Sequence, residues 1–243
     1  MISLITLSHV EKSYKYGFTK RKIIHDLSLD VYEGEVFGFI GPNGAGKSTV
    51  INLLMGFIRP ERGSIKIMGA APYDPSARRD IGFLSENPKF YDNLTAEELL
   101  SFAGLASGMA KARVRKAIDP LLSRLELLHV KKRPIHTYSK GMKQRIGLAL
   151  GMIHDPQIYI LDEPMSGLDP IGRNLLKKII LDMKQEGKTV FFCSHILNDV
   201  EALCDRVGII HEGRVLFSGH IHDFSTEGKG FEDSFVDLIM KTQ

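Results

Sequence analysis

Only two cysteines, Cys193 and Cys204, occur among the 243 residues. Their spacing fits neither a zinc site nor a disulfide framework and points to a reducing compartment. Cys193 ends the apolar run Thr189-Val190-Phe191-Phe192-Cys193 and reads as a small buried hydrophobe. Long apolar runs are lacking too, and none approaches the ~18 residues of a membrane span. The amino-terminal segment reaches His9, Glu11 and Lys12 too early for a secretory leader, so an intracellular protein that does not itself cross a membrane is expected. Charge of one sign is scarce: the formal net charge is +3, with acidic and basic residues interspersed. Nucleic-acid binders usually carry basic blocks, so this class is disfavoured, and Lys20-Arg21-Lys22 reads as a solvated hairpin turn. There is no internal repeat, heptad run or low-complexity linker. With 43% hydrophobic and 25% charged residues, what remains is an ordinary globular chain with room for a substantial core.

The most informative stretch present is Gly41-Pro42-Asn43-Gly44-Ala45-Gly46-Lys47-Ser48-Thr49. It follows an apolar run, Val36-Phe37-Gly38-Phe39-Ile40, that reads as a buried strand, and it precedes a helical pattern at Val50, Ile51, Leu53 and Leu54. Strand, glycine-rich loop and helix in that order form a phosphate cradle. The glycines let successive N–H groups converge on phosphate oxygens, and the helix adds the positive end of its dipole. Lys47 is placed to reach the β- and γ-phosphates, and Ser48 to put its hydroxyl on Mg²⁺. A second nucleotide signal lies downstream, where the apolar run Ile158-Tyr159-Ile160-Leu161 ends in Asp162 and Glu163. Asp162 suits a Mg²⁺-associated acid of a phosphate-loop NTPase, and Glu163 can orient and deprotonate an attacking water.

Around these motifs, residues 2–10, 23–31, 36–40 and 63–69 carry short strand-like patterns. From about residue 92 to 150 the pattern is helical. Thr95-Ala96-Glu97-Glu98 is a capping box, and Pro120 is expected to break one apolar-periodic stretch, residues 114–128, into two helices. Strand patterns return at residues 157–161, 189–193 and 207–211 with helices between them, and residues 231–241 form a short amphipathic helix. This alternation predicts an α/β fold: a mostly parallel sheet with helices on both faces, interrupted by a helical insert.

Between the two nucleotide motifs stands Tyr138-Ser139-Lys140-Gly141-Met142-Lys143-Gln144-Arg145. Here the chain resembles the ATP-binding cassette (ABC) ATPases, whose signature reads roughly Leu-Ser-Gly-Gly-Gln ahead of a helix. Ser139, Gly141 and Gln144-Arg145 match, whereas Tyr138, Lys140 and Met142 depart. Ser139 is also a good N-cap for a helix over residues 142–153. The other family elements follow in order. Ser166-Gly167-Leu168-Asp169 resembles the loop after the catalytic acid, and His195, in Cys193-Ser194-His195, resembles the histidine that contacts the γ-phosphate. Tyr14 resembles the aromatic residue on which adenine stacks, with Tyr16 competing for the role. Where the family usually has a Gln bridging Mg²⁺ and the transport partner, this chain has Glu86, with Asn87 as the weaker alternative.

The resemblance covers residues 2–220 and implies a single RecA-like P-loop NTPase domain over residues 1–243. It has an N-terminal antiparallel β subdomain, an inserted helical subdomain at about 87–155 and a C-terminal helical tail at about 220–243. It also implies that the signature caps ATP held by a second copy or a paralogue, so that Ser139 and Gly141 serve the partner's nucleotide, and it places Asp169 among the nucleotide-binding residues. Closure of that pair would drive a separate ABC transmembrane subunit from the cytoplasmic face of the cell membrane, without nucleic acid. The residue wording is most similar to the ABC-2-type export branch, and residues 86–100, with Phe90, Tyr91 and Leu94, resemble the surface that docks the membrane partner. A soluble ABC ATPase acting on nucleic acid or ribosomes is the competing reading. It lacks the second cassette, long insertions or zinc modules usual there. A GTPase reading lacks an Asn-Lys-x-Asp motif.

Overall fold

The computed structural model describes residues 2–17, 19–224 and 230–242. In chain order the elements begin with β1 (Ser3–Tyr16), β2 (Thr19–Tyr32), β3 (Val36–Ile40), α1 (Lys47–Leu54), β4 (Arg62–Ile67), α2 (Pro75–Arg78) and β5 (Ile81–Leu84). A helical segment follows: α3 (Ala96–Ala106), α4 (Lys111–Arg124) and α5 (Lys140–Met152). Then come β6 (Ile158–Asp162), α6 (Pro170–Gln185), β7 (Thr189–Ser194), α7 (Leu197–Leu203), β8 (Arg206–His211), β9 (Arg214–His220), α8 (Ile221–Phe224) and α9 (Phe231–Met240).

Two sheets carry the architecture. A six-stranded sheet in the order β5-β6-β7-β3-β8-β9 is parallel except for the antiparallel edge strand β9. A three-stranded antiparallel sheet, β2-β1-β4, lies against it. β3 and β7 are buried along their whole length, which is why they read as continuous apolar runs rather than alternating ones. Alternation along β3 serves two cores. Phe37 and Phe39 pack with Leu7, Ile24 and Phe191 on the side of the antiparallel sheet, while Val36 and Ile40 face the core shared with α3–α7. Cys193 and Cys204 are free and buried, and burial pushes both thiols well up from their ordinary range. Among the described residues no helix is long and apolar enough to cross a membrane.

Two expectations need correction, and two strands were not foreseen. Lys20, Arg21 and Lys22 lie inside β2, paired with Lys15, Tyr14 and Ser13, and not in the turn. The hairpin outruns its apolar pattern because charge pairs extend it, Lys22 to Glu11 at 2.8 Å and Lys20 to Glu61 at 2.9 Å. Pro120 sits inside a continuous α4 and does not end it. The lost backbone bond is outweighed by one buried stripe, Val114, Ile118 and Leu122, that needs both halves of the helix on one face. β5 and β9 are additional strands. β5 is only four residues long, and β9 is an exposed edge whose side chains are mostly half-buried or exposed. By contrast, the capping box at α3 forms in full: Glu98 N–H donates to Thr95 Oγ1 at 3.2 Å, and Thr95 N–H donates to Glu98 Oε2 at 2.8 Å.

The two sheets are joined by a buried ion pair. Arg206, at the start of β8, is 3.1 Å from Glu35 Oε1 and donates to the carbonyl of Asp30 at 3.1 Å. Its guanidinium stacks on Tyr32, 4.6 Å from the ring centroid. Burial pushes the Glu35 carboxyl up, and a hydrogen bond from Tyr32 N–H and the Arg206 charge pull it back. Removing one member strands the other charge, so Arg206→Met should cost about 3–5 kcal/mol in urea unfolding. Adding Glu35→Leu should recover much of that loss. An unchanged midpoint in the single variant would mean that the pair holds nothing together.

Candidate active site

The carboxyl ends of β3, β6 and β7 lie side by side, and each delivers one part of the site. β3 runs into the glycine-rich loop. Gly44 and Gly46 take φ of 81° and 115°, conformations that glycine adopts without strain. Gly41 must be glycine for another reason, since a Cβ there would collide with the carbonyl oxygen of Ile210. α1 begins at Lys47 with no side chain capping its first turn, which leaves its N–H groups directed at the loop's concavity. Lys47 is buried; its Nζ donates to Gly41 O at 2.6 Å and to Pro42 O at 3.2 Å.

β6 delivers Asp162 and Glu163. Glu163 has φ 48°, a conformation that a residue with a side chain holds only when its surroundings impose it. Its N–H donates to Cys193 O at 3.1 Å, and its carbonyl accepts from Ser166 N–H at 3.0 Å. Just beyond β7, His195 Nδ1 is 2.8 Å from Glu163 Oε2. An ionised carboxylate only accepts, so Nδ1 carries the hydrogen in that bond.

These parts share one cavity of about 300 Å³. Asn43, Gly44, Gly46, Lys47, Ser48 and Thr49 line one side; Glu86, Asp162, Glu163 and His195 line the other. Burial, then the Glu86 and Glu163 charges, push Asp162 up to about 6, with Lys47 opposing. The shift records first the burial of the carboxyl and second the two neighbouring acids, which Lys47 only partly offsets. Among the described residues no three His, Cys, Asp or Glu side chains are grouped to hold a metal by themselves. The Ser48 hydroxyl and the Asp162 and Glu86 carboxylates are hard oxygen donors, and they fit a cation that takes its remaining ligands from phosphate and water, as Mg²⁺ does.

Six expected site residues lie outside this cavity. Gly41 and Ala45 form the back of the loop; the Ala45 carbonyl accepts from Gly213 N–H at 2.9 Å. Tyr14 lies on β1 opposite Arg21, with Lys12 Nζ 5.8 Å from its ring centroid. The Tyr16 side chain is outside the described residues. Ser139 caps α5, accepting from Met142 N–H at 3.2 Å, and Gly141 lies in the first turn of that helix. The Asp169 carboxylate caps α6 by accepting from Gly172 N–H at 2.8 Å. Two features had escaped sequence reading. Ile23 lines the cavity as an ordinary apolar strand residue. The β8–β9 turn buttresses the loop: Gly213, at φ 73°, presses against Ile23 so closely that a Cβ would meet that residue's carbonyl. The dipeptide Glu212-Gly213 is a visible turn signal, but nothing in its sequence says where the turn docks.

The Asp162 shift has a thermodynamic consequence. Its carboxyl ionises later in the folded chain than in the unfolded one, so stability falls as pH rises from about 4 to about 6 and the penalty persists above that window. Asp162→Asn should therefore melt several degrees higher than the parent at pH 7.5 without nucleotide, an advantage that vanishes near pH 4. Thermal unfolding across pH checks this; a constant difference at all pH values would contradict it.

Comparison with known proteins bears on the same residues. The family model described as ABC transporter matches residues 24–166. An uncharacterised ABC transporter ATP-binding protein of Nostoc sp. is 42% identical over 228 residues, covering 91% of this chain and 68% of that protein. The chain spans 64% of the length of a similar Synechocystis protein, also 42% identical. The lantibiotic transport ATP-binding protein SrtF of Streptococcus pyogenes is 38% identical over 213 residues, covering 88% of this chain and 89% of that one. The ATP-binding cassette MJ0796, solved as a dimer in a post-hydrolysis state bound to ADP and Pi, superposes with a TM-score of 0.82 at 25% identity, over 89% of this chain and 98% of that one. The family match spans more than half the chain and takes in both the loop and the acids that meet in the cavity, and the chain accordingly belongs to the ABC transporter family, as an ATP-binding protein that hydrolyses ATP.

Proposed function

We propose that the chain is the ATP-hydrolysing subunit of an ABC-2-type exporter, acting at the cytoplasmic face of the cell membrane on a separate membrane-spanning subunit. One observation carries this reading. The phosphate loop, Asp162, Glu163 and His195 share a cavity, while Ser139 and Gly141 stand apart from it. A lone chain thus has the phosphate-binding half of a site and, elsewhere, a helix start suited to cap another. Two copies, or this chain and a paralogue, complete each other. Lys47 and the loop N–H groups hold the β- and γ-phosphates of one nucleotide, and Ser139, Gly141 and Asp169 of the second subunit close over it. Tyr14 stacks on adenine from the edge of the hairpin.

Mg²⁺, when bound with ATP, screens phosphate charge and orients the γ-phosphoryl group; Ser48, Asp162 and Glu86 are the residues that would hold it. Glu163 orients the attacking water and accepts its proton, and His195 fixes the Glu163 carboxylate through the 2.8 Å bond. Positioning and electrostatics do most of the work in such a transfer.

Support for an export role comes from the lantibiotic transport relative. Support for a docking face comes from Tyr91, Phe102 and Leu105, which are 74%, 64% and 49% exposed on and just before α3, whereas Phe90 and Leu94 pack against the core. The interspersed charge offers nucleic acid no basic face, and the transport relatives disfavour the ribosomal alternative.

Glu163→Gln should bind ATP with the parent's affinity and release phosphate ~10²-fold more slowly or worse; an unchanged steady-state rate would remove Glu163 from the base role. The same variant with Mg-ATP should recover a polytopic membrane protein from detergent-solubilised native membranes. Ribosomes or DNA-bound proteins in its place would overturn the transporter reading.

A further inference from the structure

The turn that joins Glu163 to Asp169 is held from one side by the first two turns of α5. Gln144, 2% exposed, donates through Nε2 to Pro164 O at 3.4 Å. Leu168 packs on Gly141, with its Cδ2 3.3 Å from where a Cβ would stand. The third hold is Lys140. Its Cδ, Cε and Nζ fill the space that a side chain on Gly167 would take, and Gly167 itself sits at φ 71°. Lys140 and Gln144 are four residues apart on one helix face, so a single rigid surface meets the turn at both ends.

This matters because the turn's first residue is strained. Glu163 has a positive φ, and its carbonyl closes the turn by accepting from Ser166 N–H at 3.0 Å. Such a conformation persists only when neighbours over-determine it. An uncovered glycine would be the weakest of those neighbours, since it is free to adopt either sign of φ. Lys140 covers it with the outer part of its side chain, Cδ through Nζ, while the residue as a whole stays exposed. It is also one of the positions where this chain departs from the resembling signature, which has glycine there.

We propose that Lys140 is a positioning residue for hydrolysis: its stem lies across Gly167 as a strap, fixes the turn, and thereby holds Glu163 against its water. The inference rests on the reading of Glu163 as the base. It assigns the work to the methylenes, not to the charge.

The test uses the full chain under conditions where ATP-dependent dimers form. Lys140→Ala should lower kcat about fivefold or more while KM for Mg-ATP stays within about twofold, because a misplaced base affects the transition state and not ground-state binding. Lys140→Met keeps the stem without the charge and should retain most of kcat. In a Glu163→Gln background, Lys140→Ala should leave ATP-dependent dimerisation unchanged, and because Lys140 is exposed its melting temperature should hold. A Lys140→Ala enzyme with normal kcat would overturn the proposal. So would a Lys140→Met enzyme as slow as Lys140→Ala, which would assign the effect to charge, or a loss that follows weakened dimerisation. Glu163→Gln alone separates the two readings: full activity there defeats the base assignment, and this proposal with it. A slow Glu163→Gln beside a normal Lys140→Ala defeats only the strap.

Discussion

Lys47 is the charge around which the rest is arranged. It is buried, tied to the carbonyls of its own loop, and it faces three carboxylates across the cavity. One cation against Glu86, Asp162 and Glu163 leaves an excess of negative charge, which adds to burial in raising the Asp162 carboxyl. A polyanion entering with a divalent cation satisfies both sides: phosphate answers the lysine and the loop N–H groups, and the cation answers the acids. The parallel sheet makes this possible, since three adjacent strands must end at one level for loop, acids and histidine to meet. The Gly213 turn holds the antiparallel sheet against that edge, and the buried Arg206–Glu35 pair ties the sheets at the opposite, amino ends of β3 and β8.

Much of this was legible in the sequence because local chemistry dictated it. The loop between a buried strand and a helix, the acids ending an apolar run, and the caps at Thr95 and Ser139 each depend on residues within a few positions of one another. Tertiary partners decided what was missed. The hairpin's outer half lacks an apolar pattern and is held by cross-strand charges that only pairing reveals. Pro120 stays within a helix because the core needs Leu122 on the same face as Val114. Ile23 and Gly213 belong to the site through contacts across long stretches of chain, for which sequence offers no local signal. Ser139 shows a third case, where the visible chemistry, helix capping, is real and the proposed further role would fall outside a single chain.

That separation is the structural reason for expecting a pair. Within one chain, α5 starts away from the nucleotide cavity yet braces the turn that carries Glu163. In the proposed pair, a nucleotide held by one subunit and capped by another would meet, through α5, the turn that carries Glu163 in the subunit that caps it.

The claim that each site is built from two copies can be tested by complementation. Lys47→Ala disables the phosphate loop, Gly141→Asp disables the signature, and each protein alone should neither dimerise with ATP nor hydrolyse it. When the two are mixed, half of each heterodimer has an intact loop facing an intact signature. The account predicts that ATP-dependent dimers and phosphate release reappear on mixing, in proportion to the heterodimer formed. A mixture that stays inactive, beside an unmutated chain that hydrolyses ATP as a monomer, would show that the site is complete within one chain.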